Sequence, residues 1–149
     1  MCGPADTLAV TLANRMALHI NLVAVVVAAV SMFLVGALWY SPLLFARPWM
    51  AANGFTEQSL RDTGGVGRIF AGSFVLALVS AGNLAAYLGG PDTTAAWGAT
   101  AGALAAVWII AGLGIIYLFE RKTLKVFLIN AGYFAVSFPL MGLVLGAWR

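Results

Sequence analysis

Charge is what this sequence has least of. Only 9% of its 149 residues are Asp, Glu, Lys or Arg, whereas 62% are hydrophobic and the mean hydropathy is +0.97. Soluble domains carry about 25% charged residues. So few charges cannot cover a water-facing surface, which excludes a soluble globule, a disordered tail and a nucleic-acid-binding module. Cysteine occurs once, at Cys2, so neither an intrachain disulfide nor a thiolate metal cluster can form. Cys2 also lacks the preceding apolar stretch of a lipoprotein signal. The single histidine, His19, has no Cys or acidic neighbours at ligand spacing, which argues against a metal site. No nucleophile stands with a base and an orienting group, and no Gly-rich phosphate loop runs into a lysine. The expectation is therefore no enzyme and no cofactor. The net charge of +3 is too modest for a polyanion-binding surface and serves better as topology information. The bilayer remains as the solvent.

What is present is four long apolar runs, at 22–40, 69–88, 95–119 and 126–148. Each approaches or exceeds the roughly 20 residues that a helix needs to cross about 30 Å of hydrocarbon. Barrel strands are about 9–11 residues long and alternate polar with apolar positions, and no such alternation occurs here. Hydrocarbon offers no hydrogen-bonding partner, so a spanning segment must satisfy its own backbone. The sequence thus predicts an all-α, integral membrane four-helix bundle forming a single transmembrane domain over 1–149.

Basic residues set the expected orientation. Arg47, Arg61 and Arg68 follow the first run, and Arg121, Lys122 and Lys125 follow the third; only Arg15 and Arg149 fall on the other side. Six against two places both basic loops in the cytoplasm and both termini outside. Trp39, Tyr40 and Tyr117 then mark the cytoplasmic interface, and Tyr87, Trp97 and Trp148 the outer one. Trp108 falls in mid-helix and is expected to pack inside the bundle. Translation could also start at Met16, and a cleaved signal with Arg15 as its basic flank is a rival for the first run. That run continues past the usual signal core to Trp39, so an uncleaved first helix is expected.

The long loop between the first two runs opens with Ser41, Pro42, Leu43, Leu44 and Phe45, and Pro42 should end or kink the first helix. Residues 48–53, with Trp49 and Met50, are expected to lie in the interface before Gly54 turns the chain. Thr56 could cap a short turn through Arg61, and Gly64, Gly65 and Gly67 supply slack. The loop reads as a connector folded onto the headgroups, or as a gate or docking surface.

The stretch from Gly36 to Met50, GALWYSPLLFARPWM, resembles a family of bacterial membrane proteins grouped as domain of unknown function 1761. The resembling residues are Gly36, Trp39, Tyr40, Ser41, Pro42, Phe45 and the Trp49–Met50 pair. The likeness continues through YLFE ending at Glu120, LINAGY around Asn130, MGLVLGAW from Met141 to Trp148, and Asn21 before the first run. The family often carries His after the Gly-Tyr pair, where this chain has Phe134, so the resemblance does not extend to a titrating imidazole there. It implies a four-helix protein of the bacterial cytoplasmic membrane and brings no established activity.

Polar groups inside a membrane are expensive and are candidate functional positions. Asn83 is expected to tie two helices together by a hydrogen bond, the alternative being a cavity contact. Asn21 and Asn130, near helix entrances, are read as caps or interfacial groups. Ser31, Ser73, Ser80, Thr100 and Ser137 can bond back to their own helix. Glu120 meets the unfavourable end of a helix dipole, which predicts an offsetting partner among Arg47, Arg68 and Arg121. Gly98 with Gly102, and Gly142 with Gly146, form two G-x-x-x-G spacings that permit close helix approach, either within the chain or to another subunit. The expected partners are the lipid bilayer and other membrane subunits or a second copy. The function that follows is an accessory subunit docking onto a larger membrane complex, with a homo-oligomeric small-solute transporter or channel as the alternative.

Overall fold

The computed structural model describes residues 20–62, 64–90 and 92–148. The expectations resting on Cys2, Arg15, Met16, His19 and Arg149, including the internal start and the cleaved signal, lie outside the described residues. Among the described residues six helices follow in order: α1 (Leu22–Trp39), α2 (Ala46–Asn53), α3 (Glu57–Asp62), α4 (Val66–Tyr87), α5 (Ala95–Phe119) and α6 (Leu124–Ala147). No strand occurs among the described residues. By length and composition α1, α4, α5 and α6 can each cross a membrane.

Helix starts are fixed by polar caps, because the first N–H groups have no partner within the helix. Asn21 Oδ1 accepts from the backbone of Val23 at 3.0 Å and Ala24 at 3.1 Å. Thr94 and Thr123 cap α5 and α6 through Trp97 N and Val126 N. The Thr123 cap starts α6 at Leu124, before the apolar run itself begins. α4 likewise starts ahead of its run, at Val66, where left-handed Gly65 (φ 69°) turns the chain into the helix. Thr56 and Ser59 cap α3 reciprocally: Ser59 N donates to Thr56 Oγ1 and Thr56 N to Ser59 Oγ.

The four long helices form a bent row in which α4 also touches α6. α1 packs against α4 on one side and α6 on the other, and α6 packs against α5 along most of its length. α4 and α5, although joined by the short turn after Tyr87, do not form a packed pair. The core of the row is built from small residues: Ala28 and Ala29 on α1, Ala81 on α4 and Ala101 and Ala106 on α5 are almost fully enclosed. Lipid tails are as apolar as leucine, so association in a bilayer relies on close van der Waals packing, which small side chains permit.

The α5–α6 contact follows ridges of every fourth residue. Gly98, Gly102 and Ala106 are buried on α5 and Gly146, Gly142 and Phe138 on α6, with Ile110 and Phe134 continuing the two lines. A Cβ on Gly98 would fall on the Gly142 carbonyl, one on Gly102 on the Phe138 carbonyl, and one on Gly146 on the Thr94 carbonyl. Both G-x-x-x-G pairs are thus consumed within the chain and face each other. This is the packing of i±4 ridges against i±4 ridges that glycine makes possible at short range.

The end of α5 carries a strained residue. Lys122 N donates to Tyr117 O at 2.9 Å and Arg121 N to Leu118 O at 3.2 Å, the two bonds of a Schellman ending. Its left-handed position is occupied by Arg121 at φ 53°, where glycine is usual. Arg121→Gly is therefore expected to stabilise the protein, by about 0.5–1 kcal/mol. A rise in thermal midpoint in detergent would be measured; an unchanged or lower midpoint would show that the arginine side chain makes up for its backbone cost.

Candidate functional site

The family-like segments at the end of α1 and the start of α6 interlock. The Trp39 ring lies over Gly132, where an added Cβ would come within 2.7 Å of Trp39 Cζ2. The Tyr133 ring lies over Gly36, whose added Cβ would sit 3.4 Å from Tyr133 Cε2. Each helix thus offers a glycine to receive the aromatic ring of the other. Hydrogen bonds fix the register: Trp39 Nε1 donates to Ile129 O at 2.9 Å, and Tyr133 OH donates to Met32 O at 3.3 Å.

Asn130 stands at the centre of a polar chain that joins three elements. Tyr40 OH, just past α1, donates to Asn130 Oδ1 at 2.8 Å, and Asn130 Nδ2 donates to Tyr117 OH on α5 at 2.8 Å. Trp39, Tyr40 and Tyr117 are thus half-buried and tied to neighbouring elements. Asn21 caps α1, and Asn130 serves as a helix tie rather than a cap.

The Ser-Pro pair turns the chain back onto this cluster. Ser41 Oγ donates to Leu38 O at 2.7 Å, Phe45 N returns to Trp39 O at 3.0 Å, and Pro42 follows where no further helical N–H is needed. Phe45 then stacks on Trp39 with ring centroids 4.7 Å apart. α2 lies against α6 and places Trp49 at 5.7 Å from Tyr40, edge to face. Rings continue from Trp49 outward to Phe55 at 5.6 Å and from Tyr40 inward to Tyr133 at 5.6 Å, Phe134 and Phe138. Two polar atoms in this region are enclosed without a hydrogen-bond partner, Trp49 Nε1 and Ser137 Oγ, although Ser137 lies beside Tyr133.

Beside the cluster a groove opens between α4 and α5, floored by α1 and α6. It encloses about 660 Å³. Phe33, Tyr40, Phe70, Tyr133, Phe134 and Phe138 give it an aromatic lining, and Ser73 and Ser80 of α4 face into it. Its size and its mainly apolar wall with a few polar groups are those of small-molecule sites.

Three expectations are corrected. Trp108 does not pack inside: it is 82% exposed on the outside of α5. The contact line winds round α5 along every fourth residue, so Trp108, two positions after buried Ala106 and about 200° from it, lies off the line. Asn83 is exposed and makes no hydrogen bond among the described residues, because its face of α4 lies away from α1. Glu120 is exposed just past the end of α5 and has no ion pair among the described residues. Of the small hydroxyl residues, Ser31 and Thr100 bond back to Ala28 O and Ala96 O, whereas Ser73 and Ser80 make no hydrogen bond among the described residues.

Gly132 and Tyr133 carry the interlock and were not singled out individually from the sequence. Their signal is a glycine close before an aromatic in each segment: Gly36 three residues before Trp39, and Gly132 directly before Tyr133. No group of three His, Cys, Asp or Glu side chains comes together among the described residues. No curated protein and no solved structure matches the chain significantly. A family model described as protein of unknown function (DUF1761) matches residues 23–146, which include both interlocked segments, and the chain belongs to that family.

Proposed function

We propose that this protein is an accessory subunit of a larger complex in the bacterial cytoplasmic membrane, docking through the outer face of α5. The observation that carries this reading is Trp108. It is the fourteenth of the 25 residues of α5, it points away from the protein, and its indole N–H makes no hydrogen bond among the described residues. Tryptophan facing lipid is enriched at the two membrane interfaces, where its N–H meets water. In mid-hydrocarbon an unpaired N–H is costly. A helix of another subunit offering a carbonyl or hydroxyl would relieve that cost. Leu104 and Val107, also exposed, widen the same apolar surface. Six of the eight basic residues lie in the two connections at one end or in the first turn of the long helix that follows, which supports cytoplasmic loops and outer termini. The groove wall is largely apolar, which suits no conduction path for a polar solute. The reading assigns no catalytic step to the chain.

The test is native mass spectrometry of protein extracted in mild detergent from its own membranes, with a photo-crosslinking residue placed at Trp108 or, as control, at Val75. A stoichiometric larger partner, crosslinked from position 108 and not from 75 and lost with Trp108→Leu, is expected. The thermal midpoint should move little, since the substitution touches nothing inside the protein. A discrete homo-oligomer without other subunits would favour the transporter or channel. A partner retained in full by Trp108→Leu would remove the α5 face from the proposal.

A further inference from the structure

The groove between α4 and α5 differs from a packing defect in its length, its rim and its uncommitted hydroxyls. On α4 its wall runs from Ile69 to Ser80, eleven steps along the helix, or about 16 Å at 1.5 Å per residue. That is half of the roughly 30 Å hydrocarbon thickness, and hence the depth of one leaflet. The groove begins at the level of Tyr40, at the end of the protein that carries the basic loops, and ends near mid-span. Because α4 and α5 do not pack together, it is open sideways to the bilayer.

A cation stands at the loop end of α4, one residue outside the lining. Arg68 immediately precedes Ile69 and Phe70 of the lining, is exposed, and forms no ion pair among the described residues. One turn below the rim, Ser73 faces the groove without a hydrogen bond, even to its own helix. Deeper in, Phe33, Phe134 and Phe138 supply only apolar surface.

We infer that the groove is a slot for one anionic phospholipid of the loop-side leaflet. The phosphate sits against Arg68, an acyl ester carbonyl accepts from Ser73 Oγ, and one acyl chain runs down the aromatic wall to the level of Ser80. Three independent features agree on this occupant: a depth of one leaflet, a cation without a partner at the headgroup end, and a free donor where the ester falls. The site is separate from the outer face of α5, so it stands or falls without the docking reading.

The test uses the full chain in detergent, titrated with dioleoyl phosphatidylglycerol or dioleoyl phosphatidylcholine and followed by native mass spectrometry. One phosphatidylglycerol adduct that survives collisional activation better than the phosphatidylcholine adduct is expected. Arg68→Gln should lower that preference about fivefold, the weight of one cation near an anionic surface, while the chain still binds. Ser73→Trp should fill the upper groove and abolish the retained adduct. Ala37→Phe fills it from α1 and keeps the test open should Ser73→Trp not fold. Equal retention of the two lipids by the unaltered protein would overturn the proposal. So would an undiminished adduct in a folded groove-filling variant.

Discussion

Gly142→Val is expected to drive α5 and α6 apart and to destabilise the protein by about 3 kcal/mol or more. Overfilling a packed interior typically costs about 1–3 kcal/mol when side chains can rearrange. Here the atoms in the way are backbone: the new Cβ meets the Gly98 carbonyl, and Gly102 N lies 3.2 Å away. No rotamer change relieves such an overlap, so one helix must shift and take the neighbouring contacts of Gly98, Gly102 and Gly146 with it. In a chain of this size about 3 kcal/mol corresponds to a fall of about 6–12 °C in the thermal midpoint. Gly112→Ala is the matched control, because nothing lies within 4 Å of its added Cβ. It should be neutral or, through better helix propensity, stabilise by up to about 1 kcal/mol. Thermal unfolding of both variants in one detergent decides the matter. If Gly142→Val melts with the unaltered protein, the glycine ladder does not hold the two helices together.

Gly132→Leu should have the second largest effect, because it evicts Trp39 from the interlock. The indole has no room to slide, since Nε1 is held by the Ile129 carbonyl and the ring is covered by Phe45. Displacing it opens a large cavity and leaves an N–H unpaired, costs of about 2–4 kcal/mol together. Tyr40 follows Trp39 in sequence, so its bond to Asn130 is expected to weaken as well. A double-mutant cycle with Trp39→Ala isolates the pair. In the Trp39→Ala background the leucine finds the space that the indole vacated, and Gly132→Leu should become nearly neutral or stabilising. Two additive destabilisations would mean that the ring and the glycine do not share one site.

How much of this was legible in the sequence depends on the range of the signal. The four spanning helices follow from apolar run length alone. The Asn21 cap and the Ser41–Pro42 turn follow from local chemistry within a few residues. The two G-x-x-x-G spacings announce close approach, but not that each answers the other. Trp108 misled for a geometric reason: a place in mid-helix fixes depth but not direction, and the real contact steps every four residues and rotates away from it. Asn83 and Glu120 misled for an energetic one. A polar group in a predicted span, like Asn83, or an acid at the unfavourable end of a helix dipole, like Glu120, suggests a partner, but Asn83 sits near the end of α4 and Glu120 beyond the end of α5, where headgroups and water can serve. The groove was not legible at all, since it arises from the failure of α4 and α5 to pack, a property of the whole arrangement.

The interlock also sets an order of events during synthesis. Trp39 bonds to Ile129 and Tyr40 to Asn130, partners that lie 90 residues further along the chain. The first span therefore enters the membrane with its key aromatic pair unmatched, and it stays so while α4 and α5 are being made. Helix α5 can settle at once, as α6 follows it directly and carries its facing glycines. Only when α6 arrives does the first span acquire its lock, so the ends of the fold are sealed in one late step. A ribosome that stops short of Tyr133 leaves a chain with every earlier helix made and none of them anchored to the last, a distinct mark for quality-control proteases to read.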